Sequence, residues 1–169
     1  MKEKSIRKLT IAGLLVAVAV VGSLFSIPVL GAKCSPVQHM VNVLGAVLLG
    51  PWYAVGMAFA ASLIRNLLGL GSILAFPGSM IGALLCGFAY KLWPKLPVAY
   101  VGEVFGTGIL GGIASYPIAA VLMNNKAAAL FTFVPSFLVS TAVGAAISVF
   151  VLAALKRTQV FGQMEEALR

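Results

Sequence analysis

The densest run of polar side chains in the 169 residues is Lys33-Cys34-Ser35-Pro36-Val37-Gln38-His39-Met40-Val41-Asn42. Gln38 and Asn42 are four residues apart and His39 and Asn42 three, so on a helix all three share one face. Two amides and an imidazole on one face can exchange hydrogen bonds with a small ligand, with Lys33 at the outer edge of the cluster. The competing reading of His39 is structural, with both ring nitrogens satisfied inside the protein. Two ionisable residues interrupt apolar runs elsewhere, Arg65 beside Asn66, and Glu103. A charge at the centre of a bilayer costs about 2.5–3.5 kcal/mol on insertion scales, so such residues turn toward an interior or a cavity. Arg65 either snorkels to the outer headgroups or lines an outward pocket with Asn66. Glu103 either bonds a neighbouring helix, as the small residues Gly102, Gly106 and Thr107 around it suggest, or serves the ligand. At 1.5 Å per residue Arg65 lies roughly 21 Å from the inner side and Glu103 roughly 9 Å, which argues against a direct pair. Tyr116, with Phe25, Phe76 and Phe133, is an outer aromatic able to stack on a flat ligand.

These groups suit binding. No GxxxxGK[ST] stretch is present to cradle phosphates, and no GxSG places a serine beside the single histidine. No catalytic residue, cofactor or metal is expected. Any energy for transport must come from another subunit or a gradient.

The elements that position these residues follow from composition. The chain is 61% hydrophobic and 9% charged, with a mean hydropathy of +1.06. Soluble domains carry about 25% charged residues, so the expected fold is an all-α integral membrane protein. A crossing takes about 20 apolar residues, and six crossings use roughly 120, leaving short connections and a single membrane domain. Residues 1–8 form the N-terminus, 9–155 a six-helix bundle and 156–169 a tail. The net charge of +8 points to topology and not to nucleic acid. Lys2, Lys4, Arg7, Lys8, Lys91, Lys95, Lys156, Arg157 and Arg169 fall at one side of the six runs, and Lys33 and Lys126 at the other. Cytoplasmic loops collect Lys and Arg, so both termini are expected in the cytosol.

Helix 1 is expected over Leu9–Ile27, too long and without a cleavage site for a secretory signal. Pro28–Gln38 is irregular. Helix 2, His39–Gly50, is too short to cross alone, so the preceding outer loop must dip into the protein, where other groups satisfy its backbone. Gly50-Pro51 turns into helix 3, Trp52–Leu70. Helix 4 spans Pro77–Leu92, and helix 5 Val98–Met123 with a kink at Pro117. After an Asn124-Asn125-Lys126 turn, helix 6 runs over Leu130–Leu155. Trp52, Tyr53, Tyr90, Trp93 and Tyr100 read as an inner aromatic belt. Cys34 and Cys86 are poorly placed to pair and read as small packing residues. Gly13 and Ala17 form a small-xxx-small pair on helix 1 that admits a second helix.

The stretches KCSPVQHMVNVLGAVLLGPWY, SLIRNLLG, AFPGSMIGALL and GEVFGTG, followed by SYPIAA, resemble the ThiW family among the substrate-binding (S) components of energy-coupling factor (ECF) vitamin transporters. The likeness covers most of Leu9 to Met123. It implies uptake of the thiamine precursor hydroxyethylthiazole into a prokaryotic cell. It also implies a membrane-embedded coupling (T) subunit and two cytosolic ATPases as partners, with ATP-driven tilting of the S component carrying the site inward. Related S components carry AxxxA on helix 1, where this chain has Gly13 and Ala17. A small, flat, nearly neutral ligand suits amide, imidazole and aromatic groups. The alternatives are an S component for the pyrimidine precursor or another vitamin, a stand-alone proton-coupled carrier using Glu103 and His39, and an intramembrane serine protease.

Overall fold

The computed structural model describes residues 2–29, 32–125, 127–158 and 162. Lys126, Arg169 and most of the tail after Thr158 lie outside the described residues. Six helices are present among them. They are α1 (Lys2–Gly22), α2 (Pro36–Leu49), α3 (Pro51–Leu67), α4 (Ala75–Leu92), α5 (Leu96–Leu122) and α6 (Val134–Arg157). Between α1 and α2 a short antiparallel hairpin pairs β1 (Ile27–Val29) with β2 (Ala32–Cys34), Ile27 opposite Cys34.

Four helices, α1, α4, α5 and α6, are long and apolar enough to cross a membrane by themselves. The other two are shorter, α2 with 14 residues and α3 with 17. At 1.5 Å per residue α2 covers about 21 Å, short of the roughly 30 Å hydrocarbon layer.

The segment before α2 is a hairpin and not irregular chain, and its end, Cys34 and Ser35, is buried in the protein. Its polar groups find partners on α6. Ser35 N–H donates to Ser140 Oγ at 3.0 Å, Ser136 Oγ to Val29 O at 2.9 Å, and Cys34 Sγ to Ser136 O at 3.2 Å. Buried backbone is tolerated only with such partners.

Several boundaries differ from the sequence reading, each for a local reason. Helix α1 begins at Lys2 and ends at Gly22, followed by a 3-10 turn over Ser23–Phe25, so the basic start is itself helical. Helix α2 starts at Pro36, three residues before His39, because proline is favourable in a first turn. Helix α6 starts at Val134 and not Leu130, with Pro135 in its first turn. The connection before it is longer than the expected three-residue turn. In α5 the hydrogen bonding widens to the π pattern over Val104–Gly111 and again over Ile118–Leu122, just after Pro117. A proline that removes one N–H and crowds the preceding turn accounts for the second widening.

Small residues hold the bundle together. Ala54 and Ala58 of α3, Ala83 and Cys86 of α4 and Ala99 of α5 are fully buried against Val43, Leu44 and Ala46 of α2 and Leu152 of α6. Large apolar side chains such as Leu14, Leu67, Val121 and Phe150 point outward. That inversion is what a bilayer produces, since lipid rewards close helix packing and does not penalise exposed leucine. Trp52 and Trp93 stand exposed at one end of the bundle, Trp52 edge-on to Phe88.

Candidate functional site

A cavity of about 230 Å³ lies at the opposite end, where the hairpin, the α3–α4 loop and the α5–α6 connection meet. Lys33, Cys34 and Ser35 wall it on the hairpin side, Gln38 and His39 from the first turns of α2, and Arg65 from the last turn of α3. Gly71, Ser72 and Leu74 come from the α3–α4 loop, Ala75 and Ser79 from α4, Thr107 from α5, and Met123 and Asn125 from its exit. Phe133, Phe137 and Ser140 close it from α6.

Beneath the cavity runs a chain of buried hydrogen bonds. Arg65 Nη1 donates to Gln38 Oε1 at 3.2 Å, Gln38 Nε2 to Asn42 Oδ1 at 3.3 Å, and Asn42 Nδ2 to Glu103 Oε1 at 3.1 Å. His39 Nδ1 and Thr107 Oγ1 also bond Glu103 Oε1, each at 3.0 Å, and Asn42 Nδ2 reaches Ser79 O at 3.2 Å. His39 meets this shared oxygen through Nδ1. The second ring nitrogen is then left for another partner.

Arg65 and Glu103 do not pair directly, as their separation along the helices required, yet two amides join them. The depth of α2 explains how. Helix α2 begins below the surface, so His39, about ten residues from Leu49, sits roughly 15 Å from the end away from the cavity, within hydrogen-bonding reach of Glu103. Glu103 has no exposed surface, and its second oxygen, Oε2, has no hydrogen-bond partner.

Two glycines let this arrangement form. A Cβ on Gly82 of α4 would land on Thr107 Oγ1 and 2.9 Å from Glu103 Oε2, so only glycine admits that pair. A Cβ on Gly144 of α6 would strike Pro36 O and His39 Cβ, so glycine there lets α6 press on the first turn of α2.

Of the residues singled out from sequence, Lys33, Gln38, His39 and Arg65 line the cavity. Asn42 and Glu103 lie behind them as supports. Asn66 is elsewhere: its side-chain amide donates to Ser62 O at 2.8 Å and Ser72 O at 3.1 Å, clamping the α3–α4 loop. Tyr116 does not line the cavity, and neither does Phe25 or Phe76, which packs on Phe59. Phe133 is the one expected aromatic present, joined by Phe137. Gly13 and Ala17 are exposed on α1, Gly13 with open space around it.

Ser79 and Ser140 escaped the sequence reading, while Cys34 and Ser35 were named only within the polar run and Thr107 only as a packing residue beside Glu103. For Thr107 a signal existed, four residues after Glu103 on one helical face, and for Ser140 the four-residue spacing of Ser136, Ser140, Gly144 and Ser148. Cys34 is buried, which pushes its thiol above the usual range, while the Ser140 side chain pulls in the other direction. Two buried polar atoms at the cavity wall, Arg65 Nε and Ser35 Oγ, have no partner within the protein. Buried polar groups are rarely left so.

No curated protein and no solved structure matches this chain. A family model, thiamine-precursor transporter protein (ThiW), matches residues 9–158 of the 169, and the chain therefore belongs to the ThiW family.

Proposed function

We propose that this chain is the substrate-binding S component of an ECF importer, taking up the thiamine precursor hydroxyethylthiazole across a prokaryotic cell membrane with both termini in the cytosol. The observation that carries the reading is the walled polar cavity at the end of a small-residue helix bundle in a member of a thiamine-precursor transporter family. At about 230 Å³ it suits a small ring compound. Phe133 and Phe137 offer flat apolar contact, Ser35 a hydroxyl, Gln38 and Arg65 donors, and His39 the ring nitrogen that Glu103 leaves free. A hydroxyl and a heteroaromatic nitrogen on the ligand complement that set. Lys33, Gln38, His39 and Arg65 contact the ligand, with Asn42 and Glu103 holding them in place. Among the described residues no nucleotide-binding motif exists, so a T subunit and two ATPases supply the motion, with Gly13 and Ala17 on the exposed side of α1 as the contact.

Mass spectrometry of small molecules co-purifying with the chain, followed by isothermal titration with hydroxyethylthiazole, tests the ligand. The thiazole should co-purify, and Gln38→Ala or His39→Ala should weaken binding about 5- to 150-fold by stranding buried polar partners. Recovery of the pyrimidine precursor or another vitamin redirects the reading to a different S-component ligand. Uptake by the chain alone in proteoliposomes under a proton gradient favours a carrier in which Glu103 and its unpartnered Oε2 carry the proton.

A further inference from the structure

Arg65 is 3% exposed, and its guanidinium makes one side-chain hydrogen bond, to the neutral amide of Gln38. Its Nε faces no acceptor. A buried cation in that state is costly, and the cost falls when an anion meets it. Nothing in the cavity wall can be that anion. Among the described residues the carboxylates are Glu3, ion-paired with Arg7 at the start of α1, and Glu103. Glu103 does not line the cavity and is joined to Arg65 only through Gln38 and Asn42.

The surroundings reinforce the positive charge. Lys33 stands on the same wall, bonded only weakly at 3.3 Å to Gly69 O. Helices α2, α4 and α6 turn their N-terminal ends to the cavity through Ser35, Ala75 and Phe133. The N-terminal ends of helices carry partial positive charge. The carbonyl ends of α3 and α5 reach the same side but are closed by their own loops: Leu70 and Gly71 N–H bond Arg65 O, and Asn125 N–H bonds Ala119 O. Ser35 Oγ, which does not cap its own helix, adds an uncommitted donor.

We infer that Arg65, with Lys33 beside it, binds an anionic oxygen group on the ligand, a carboxylate or a phosphate ester, so that the protein prefers a charged thiazole to the neutral alcohol. This rests on the thiazole ring of the reading above and replaces its neutral alcohol with an anionic derivative as the preferred cargo. Arg65 is then a specificity-determining residue, its planar fork matched to two oxygens.

Isothermal titration of the purified full-length chain in detergent decides it, with three probes: hydroxyethylthiazole, its phosphate ester, and a thiazole carrying a ring carboxylate. One charged probe should bind about tenfold or more tightly than the alcohol, and weaken as salt is raised. Whichever of the two does so identifies the anionic group. Arg65→Gln should lower that affinity about 10- to 100-fold, clearly more than it lowers that of the alcohol, so that the preference for the charged probe collapses, and Arg65→Lys should keep part of the preference. Alcohol binding as tightly as both charged probes to the unmodified chain overturns the inference and leaves the thiazole reading standing. Equal loss of all probes in Arg65→Gln also overturns it, since Arg65 then acts on the fold alone. Failure of all three probes to bind the unmodified chain removes the thiazole reading and this inference with it.

Discussion

Asn42 does not line the cavity, yet Gln38, Glu103 and the Ser79 carbonyl around its base all bond to it. Its Nδ2 serves Glu103 Oε1 and Ser79 O, and its Oδ1 accepts from Gln38, which in turn holds Arg65. Asn42→Leu keeps the branched shape with bulkier ends and deletes all three bonds, leaving Gln38 and Glu103 short of partners in a buried setting. Each stranded group costs about 1–3 kcal/mol, so the variant should unfold at a distinctly lower temperature in detergent. It should also bind ligand more weakly although it makes no contact with it. Calorimetric melting and titration on the same preparation check both, and a variant matching the parent in both would show the chain of amides to be dispensable.

At the scale of elements, the site exists because α4 and α6 approach their neighbours without side chains in the way. Gly82→Ala should force Thr107 and Glu103 apart, and Gly144→Ala should push α6 off Pro36 and His39. Overpacking of this kind costs about 1–3 kcal/mol and here falls directly on the residues that hold the ligand. Gly13→Ala meets open space on α1 and should leave melting and ligand affinity as they were. Thermal unfolding of the three variants separates the cases: equal behaviour of Gly82→Ala and Gly13→Ala would remove close approach as the reason for glycine at 82.

For the whole molecule, orientation and partnership are the open quantities. The nine-to-two division of basic residues between alternate connections along the sequence predicts the cavity end outside the cell. In a background lacking Cys34 and Cys86, a cysteine at Ala127 should react with a membrane-impermeant maleimide added to intact cells. One at Lys95, beyond α4, should react only after permeabilisation. The reverse pattern would turn the cavity to the cytosol. Bulky replacements of both Gly13 and Ala17, exposed on α1, should leave ligand binding in detergent intact and abolish cellular uptake, as loss of a partner surface requires. Unchanged uptake would move the partner contact to another face.

How much of this was legible beforehand depended on the range of the physics involved. Hydropathy and proline act over a few residues, so the sequence alone determined the six helices, their order, the shortness of α2, and the gathering of Lys33, Gln38, His39 and Arg65 at one end of the bundle. A helical period also put Gln38, His39 and Asn42 on one face. What the sequence could not supply was depth and azimuth between helices that are distant along the chain. The start of α2 below the surface brought His39 and Asn42 down to Glu103, which counting along separate helices had kept apart from the outer cluster. The rotation of α3 turned Arg65 into the cavity and left Asn66, its neighbour, to clamp a loop. Ser140 and Thr107 reached the wall because Gly144 and Gly82 let their helices close in. Such placements are decided by packing among side chains far apart in the chain, and only the tertiary structure records them.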